Sequence, residues 1–190
     1  FNGSTDYVSA ASNAAFDFGT ANFTIEFWCY AQNLSSLPML FCRTASNTGW
    51  FLQTNATTLY FGALQSTRYT TWTVSLSNNS WYHIAATRIG NSLTVYINGV
   101  SQGSKTVTGA DLANDASAAA QIGFYQIANP YYFNGYVSNF RMVNGTAVYT
   151  ANFTPPTAPV TAITNTSLLT NFSNAGLFDA ATGNEITTVG

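Results

Sequence analysis

The chain holds one histidine, His83, in the stretch WYHIAATRIGNSLTVYINGV at residues 81–100. An imidazole acts as a general base when a nucleophile and an orienting acid stand beside it, or as a metal ligand among other donors. No Asp, Glu or Cys lies near His83 in sequence. The acids are Asp6, Asp17, Glu26, Asp111, Asp115, Asp179 and Glu185. Retaining glycoside hydrolysis needs two carboxyl groups about 5–5.5 Å apart. Acids at i and i+2 of a strand would share a face and meet that need, and no two of these have that spacing. A serine nucleophile would have only His83 as its base. His83 therefore reads as a half-buried, hydrogen-bonded strand residue, and Glu26 as a solvated or arginine-paired one. The expectation is a protein without hydrolase chemistry.

Sugar recognition needs other residues. Aromatic faces meet the apolar side of a sugar ring, and amides and hydroxyls meet its hydroxyl groups. The chain has 14 Phe, 11 Tyr and 4 Trp, most of which must fill the core and the sheet surfaces. Those in or near loops are the candidates for ligand contact. They are Tyr69 and Trp72 in STRYTTW, and Tyr131 and Tyr132 with Asn129 in ANPYYFNG.

The elements that would position these residues are strands. In WYHIAATR, Tyr82, Ile84 and Ala86 share one face, and Trp81, His83 and Ala85 the other. Gly90-Asn91 ends that run, and Leu93, Val95 and Ile97 alternate in the next. Asn98-Gly99 supplies two positive-φ positions for a tight hairpin turn. VSQGSKTV is polar on both faces and reads as an exposed strand, so the stretch is a three-strand meander. NFTIEFWCY places Phe23, Ile25, Phe27 and Cys29 on one face. PMLFCRT, GWFLQT, TTLYFGAL, RYTTWTVSL, QIGFYQI, YYFNGYVSNFRMV and SLLTNF repeat the signal. Short strands separated by turn residues at intervals of roughly 8–12 positions make the pattern of an all-β sandwich or barrel. ADLANDASAAA (110–120) lacks an amphipathic stripe and reads as a loop. TPPTAPV (154–160) cannot be interior strand, because proline donates no ladder hydrogen bond, so it should wrap along the outside.

Composition excludes several partners. The 190 residues are 46% hydrophobic and only 6% charged, with a net charge of −2. Lys105 is the only lysine, and Arg43, Arg68, Arg88 and Arg141 are scattered. No basic stripe exists to neutralise phosphates, so nucleic acid is not an expected partner. No apolar run approaches the ~18 residues of a membrane span, so no membrane insertion is expected. Several N-x-S/T matches, including Asn22, Asn33, Asn55, Asn152 and Asn171, arise readily in a chain so rich in Asn, Ser and Thr. The chain starts at Phe1 inside a strand-like run and stops just after a strand-like ITTV, which is the expectation for one domain cut from a longer protein.

Cys29 and Cys42 are too few for a disulfide framework. If NFTIEFWCY and PMLFCRT pair as a hairpin, Cys29 falls opposite Cys42 with both thiols toward the core. Opposed strand residues have Cβ atoms about 4.5–5.5 Å apart, wider than the ~3.8 Å a disulfide favours. Two neighbouring reduced thiols are therefore expected over a bridge, although oxidising surroundings would favour bridging.

The motifs form an ordered set: FNGSTDYV (1–8), NFTIEFWCY, WYHIAATRIGNSLTVYINGV, QIG (121–123) and FNGYVSNFRMVNGTAVYTANFTPP (133–156). This set resembles the laminin-G-like jelly rolls of the concanavalin A-like lectin and glucanase superfamily. NTSLLTNFSNAGLFDAATGN (165–184) resembles the extension of such domains in phage and microbial surface proteins. The resemblance implies one domain over residues 1–190, an all-β sandwich of two antiparallel sheets, with residues 154–190 as a wrapping C-terminal extension. It also implies a non-catalytic recognition or adhesion module on an extracellular or virion surface. Many such domains bind glycans on a concave face or rim, so a cell-surface glycan is the expected partner. The alternative is a decoration, fibre or filament domain contacting protein neighbours in an assembly. Many members carry a structural calcium ion. ADLAND offers Asp111, Asn114 and Asp115 as oxygen donors but lacks the spacing of an EF-hand loop, so no ligand set is named.

Overall fold

The computed structural model describes residues 1–35, 38–45, 48–63, 69–107, 117–125, 130–172, 179 and 181–190. Among them are no α-helices, and a single 3-10 turn spans Ala14–Phe16. The alternating segments form two antiparallel sheets. The seven-stranded sheet runs in the order β15 (Ile186–Val189), β1 (Tyr7–Ala10), β10 (Ala120–Ile122), β3 (Met39–Ala45), β4 (Thr48–Thr54), β5 (Thr58–Ala63) and β6 (Tyr69–Thr73). The six-stranded sheet runs β14 (Thr166–Thr170), β13 (Gly135–Asn144), β2 (Phe23–Ala31), β7 (Trp81–Ile89), β8 (Ser92–Ile97) and β9 (Val100–Thr106). A two-stranded ribbon of β11 (Phe124–Tyr125) and β12 (Tyr131–Tyr132) follows β10 after a break at Gly123.

The inner faces meet in one aromatic-rich core. Phe23, Ile25, Phe27 and Cys29 of β2 all point into it, as the alternation requires. Phe23 stacks on Phe18 at 4.0 Å, and Phe41 of one sheet packs on Phe140 of the other at 4.8 Å. Ring pairs of this kind contribute about 0.5–1.5 kcal/mol each beyond the area they bury. The expected meander is present as β7–β8–β9, and Asn98 (φ 51°) and Gly99 (φ 77°) make its second turn.

That turn is also an anchor point. Residues 145–162 form no strand and run as a strap over the outer face of the six-stranded sheet. The Phe153 N–H donates to Gly99 O at 3.0 Å, the Val148 N–H to Thr24 Oγ1 at 2.8 Å and the Trp28 Nε1–H to Pro156 O at 2.9 Å. A Cβ on residue 99 would sit 1.8 Å from Phe153 O, so glycine is required there for space as well as for its positive φ. Beyond the strap, β14 adds an edge strand to one sheet and β15 to the other.

The cysteine hairpin is not formed. β2 and β3 lie in different sheets, so the segment between them is a crossover. Cys29 stands opposite Tyr82 and Val137, and Cys42 opposite Phe51 and Gln121. Alternation assigns faces within each strand but does not say which strands are neighbours. Both cysteines are thiols outside any disulfide, and both are buried. Burial pushes the Cys29 thiol up to about 12, and the Cys42 thiol donates to Phe124 O at 3.0 Å. Iodoacetamide at about pH 8 should therefore add nothing to the native protein and two carbamidomethyl groups to the unfolded one. Native labelling at the rate of free cysteine would contradict this placement.

Candidate functional site

Four strands of the seven-stranded sheet carry one outward row. Cys42, Phe51, Gly62 and Tyr69 stand in register across β3, β4, β5 and β6. The next row is Gln53, Tyr60 and Thr71. Gly62 offers no side chain, so the rings of Phe51 and Tyr69 lean toward each other across it, 6.3 Å apart. Tyr60 approaches Tyr69 to 5.8 Å. Tyr131 packs on the cluster of Cys42, Phe51 and Tyr125. Two of the predicted residues, Tyr69 and Tyr131, thus belong to one aromatic patch. Tyr69 is 50% exposed, Tyr131 is half-buried, and neither row carries a charged side chain. Burial, then the neighbouring Cys42 and Tyr131, pushes the Tyr125 pKa up, so its hydroxyl remains a neutral donor.

Trp72 is a correction. It lies three residues from Tyr69 on the same strand and therefore on the opposite face. It is 1% exposed, stands opposite Leu59 in the core and donates its Nε1–H to Gly103 O at 2.8 Å. No sugar can stack on it. Tyr132 alternates away from Tyr131 and packs on Phe124 at 4.9 Å, which itself stacks on Tyr7 at 4.4 Å. Asn129 lies outside the described residues, as do Asp111, Asn114 and Asp115. Among the described residues no group of three or more His, Cys, Asp or Glu side chains could hold a metal ion.

His83 and Glu26 meet on the outer face of the six-stranded sheet, beneath the strap. Glu26 Oε1 accepts from Arg141 Nε at 2.8 Å and from Arg141 Nη2. Its Oε2 accepts from the Tyr149 hydroxyl at 2.6 Å and pairs with His83 Nε2 at 3.2 Å. The stacked rings of Tyr149 and Phe153, 3.6 Å apart, belong to the strap that covers the group. Glu26 is thus arginine-paired but not solvated, and His83 is fully rather than half buried. Burial pushes the Glu26 carboxyl up, yet the hydrogen bonds from His83 and Tyr149 and the charge of Arg141 outweigh it and hold its pKa below the ordinary value. Both oxygens are occupied and the side chain is fully buried, the setting of a structural anion.

Arg141 reaches Glu26 through an irregularity that strict alternation hides. Alternation from Val137 would turn residue 141 into the core. A bulge between Ser138 and Arg141, with Asn139 at φ 53°, resets the phase. A G-x-S-x-G pattern also occurs at Gly99–Gly103. It falls on the β8–β9 turn and the edge strand β9 rather than on a strand-to-helix turn, so it is not a nucleophile elbow.

Sequence reasoning missed one group of exposed aromatics. Tyr136, Tyr30 and Trp81 stand in register on β13, β2 and β7, pointing away from the core. The signal was present, since Trp28 and Tyr30 alternate with Phe27 and Cys29. A search confined to loops passes over it.

Residues 2–151 match the family Laminin_G_3, of the concanavalin A-like lectin/glucanases superfamily. The chain belongs to the Laminin_G_3 family. Its sheets also superpose on solved structures. A protein of Bacteroides ovatus named as a candidate carbohydrate-binding protein aligns over 100% of this Laminin_G_3 chain and 58% of its own, with 20% identity and a TM-score of 0.79. Domain 4 of an extracellular arabinanase of Geobacillus stearothermophilus, solved with arabinotriose, aligns over 67% of this chain and 62% of its own (20% identity, TM-score 0.52). Domains LG4-5 of the mouse laminin α1 chain align over 80% of this chain and 44% of their own (15% identity, TM-score 0.55). The Laminin_G_3 chain therefore spans less than two thirds of each of these proteins, and at such identities the likeness is one of fold. No curated protein sequence matches it. No helix among the described residues is long and apolar enough to cross a membrane.

Proposed function

We propose that this Laminin_G_3 chain is a non-catalytic glycan-recognition module working at an extracellular surface. The observation that carries the reading is the uncharged aromatic patch of Tyr69, Tyr60 and Tyr131 on the outer face of the seven-stranded sheet. A sugar ring presents C–H groups that settle on the electron-rich face of tyrosine, and its hydroxyl groups take the tyrosine hydroxyls and Thr71 as partners. The carbohydrate-binding description of the Bacteroides protein and the arabinotriose on the arabinanase domain support the same ligand class. The absence of a carboxylate pair in sequence, and the full occupancy of Glu26, support a binding role over hydrolysis.

Titration calorimetry with a glycan retained by the parent tests this. Tyr69→Ala and Tyr131→Ala should each raise Kd by about tenfold, the loss of one stacking partner. Tyr69→Ala should do so without a large change in melting temperature, because the side chain is half exposed. If both variants bind as the parent does, the patch is not the site. If the parent retains no glycan, the module serves protein neighbours in an assembly instead.

A further inference from the structure

We infer that the outer face of the six-stranded sheet carries a second glycan site, a groove between Trp81 and the Pro156–Thr157 end of the strap. It shares the ligand class of the proposed function but none of its residues.

The groove holds about 360 Å³ and is lined by Trp28, Trp81, Ser138, Asn139, Pro156 and Thr157. That volume lies within the usual range for small-ligand sites, roughly 300–1,000 Å³. Its floor is fixed in advance. The indole of Trp28 is tied to the strap by its hydrogen bond to Pro156 O and rests edge-on against His83 at 5.4 Å. The strap is in turn held by Tyr149 on Glu26. A rigid wall loses little freedom when a ligand arrives.

One side opens onto an aromatic shelf. Trp81 lies 5.6 Å from Tyr30, and Tyr30 lies 5.7 Å from Tyr136. Trp81 is 46% and Tyr136 57% exposed. Adjacent strands are about 4.8 Å apart, so the three rings span about 10 Å, room for more than one sugar ring in line. The other side supplies hydrogen-bonding groups. Asn139 donates through Nδ2 to Ala158 O at 3.4 Å, which leaves its Oδ1 without a partner among the described residues. The Ser138 hydroxyl donates to Asn171 O at 3.4 Å and keeps its lone pairs, and Thr157 is exposed.

None of these eight residues is charged. An ionic ligand has nothing to pair with, while an uncharged oligosaccharide finds ring faces and hydroxyl partners together. A groove of this volume, flanked by hydroxyl and amide groups, fits a sugar ring better than a protein surface, which needs roughly 800 Å² on each partner. The groove and the Tyr69 patch face opposite ways from the sandwich, so both can be filled at once. Facing opposite ways on one rigid body, the two sites would bridge separate glycan chains rather than add avidity on a single surface.

The four tryptophans give a direct readout, because each indole Nε1–H yields one cross-peak in a ¹H–¹⁵N spectrum. The probes are cellotetraose, xylotetraose, arabinotriose and chitotriose. The expected result is that at least one of them moves the Trp81 and Trp28 peaks while Trp50 and Trp72, both buried in the core, stay still. The shift should persist in Tyr69→Ala. In Tyr136→Ala the Kd read from the Trp81 peak should rise by about tenfold. If none of the four sugars moves these two peaks, the inference is overturned. It is overturned equally if the Trp81 peak moves with protein concentration alone, since a second copy of the chain would then cover the groove. Should Tyr69→Ala and Tyr131→Ala both bind like the parent while Trp81 still responds, the seven-stranded face fails as a site and the groove stands.

Discussion

Glu26→Ala should destabilise the domain by about 3–5 kcal/mol, the cost of leaving a buried charge without its partner. Arg141 would remain beneath the strap with two hydrogen bonds lost, and Tyr149 and His83 would lose their acceptor. Urea unfolding measures the change directly. Glu26→Gln keeps the shape and removes the charge, and should fall between the parent and alanine. A loss below about 1 kcal/mol for Glu26→Ala would mean that the cluster behaves like an exposed ion pair.

The same cluster sets a pH dependence. The folded pKa of Glu26 is depressed, so the unfolded chain takes up its proton first as pH falls. The stability it contributes is fully present above the ordinary carboxylate value and is lost as pH drops through the folded one. Asp179 acts with the same sign. Burial pushes it up, but Thr182 and the backbone N–H groups of Ala181, Leu169 and Asn184 hold it down. The melting temperature should therefore be flat near neutrality and fall through the acid range. Glu26→Gln should show a shallower fall, with the part due to Asp179 left in place. An identical acid profile in parent and variant would remove Glu26 from this account.

Trp72→Ala should cost about 3–5 kcal/mol, as truncating a buried aromatic does. The cavity would open in the core beside Leu59, and Gly103 O would lose its donor. In a domain of this size each kcal/mol moves Tm by about 2–4 °C, so a drop of roughly 6–20 °C is expected in a thermal melt. Tyr69→Ala, on the other face of the same strand, should shift Tm by a small fraction of that. If Trp72→Ala melted with the parent and lost only glycan binding, the inward face of β6 would be wrongly assigned.

These two residues show what was legible in the sequence. The period-two pattern in NFTIEFWCY and WYHIAATRI placed the core residues of β2 and β7 correctly, because an apolar residue on the wrong face of a sandwich exposes itself and buries a polar neighbour. The same pattern runs through RYTTWT, which reads as a strand, and it separates Tyr69 from Trp72; choosing both for lying near a loop leaves that alternation unused. The pairing of strands is a different matter. Nothing in residues 23–45 distinguishes a hairpin from a crossover, so the cysteine register failed while each strand was found. Long-range partners were equally hidden. Glu26 and Arg141 are 115 positions apart, and a bulge changes the phase between them. The aromatics of the six-stranded face were readable as outward residues, but their meeting in one row depends on the order β13–β2–β7, which no local pattern carries.

The proposed function is recognition of glycans through aromatic faces on a rigid sandwich. A glycan array probed with the fluorescently labelled parent domain tests it most directly. The expected result is retention on a restricted set of uncharged glycans, reduced for Tyr69→Ala and unchanged by moderate salt, since the Tyr69 patch and the groove carry no charge. No retention on any glycan, or retention only on sulfated and sialylated ones that salt abolishes, would contradict it.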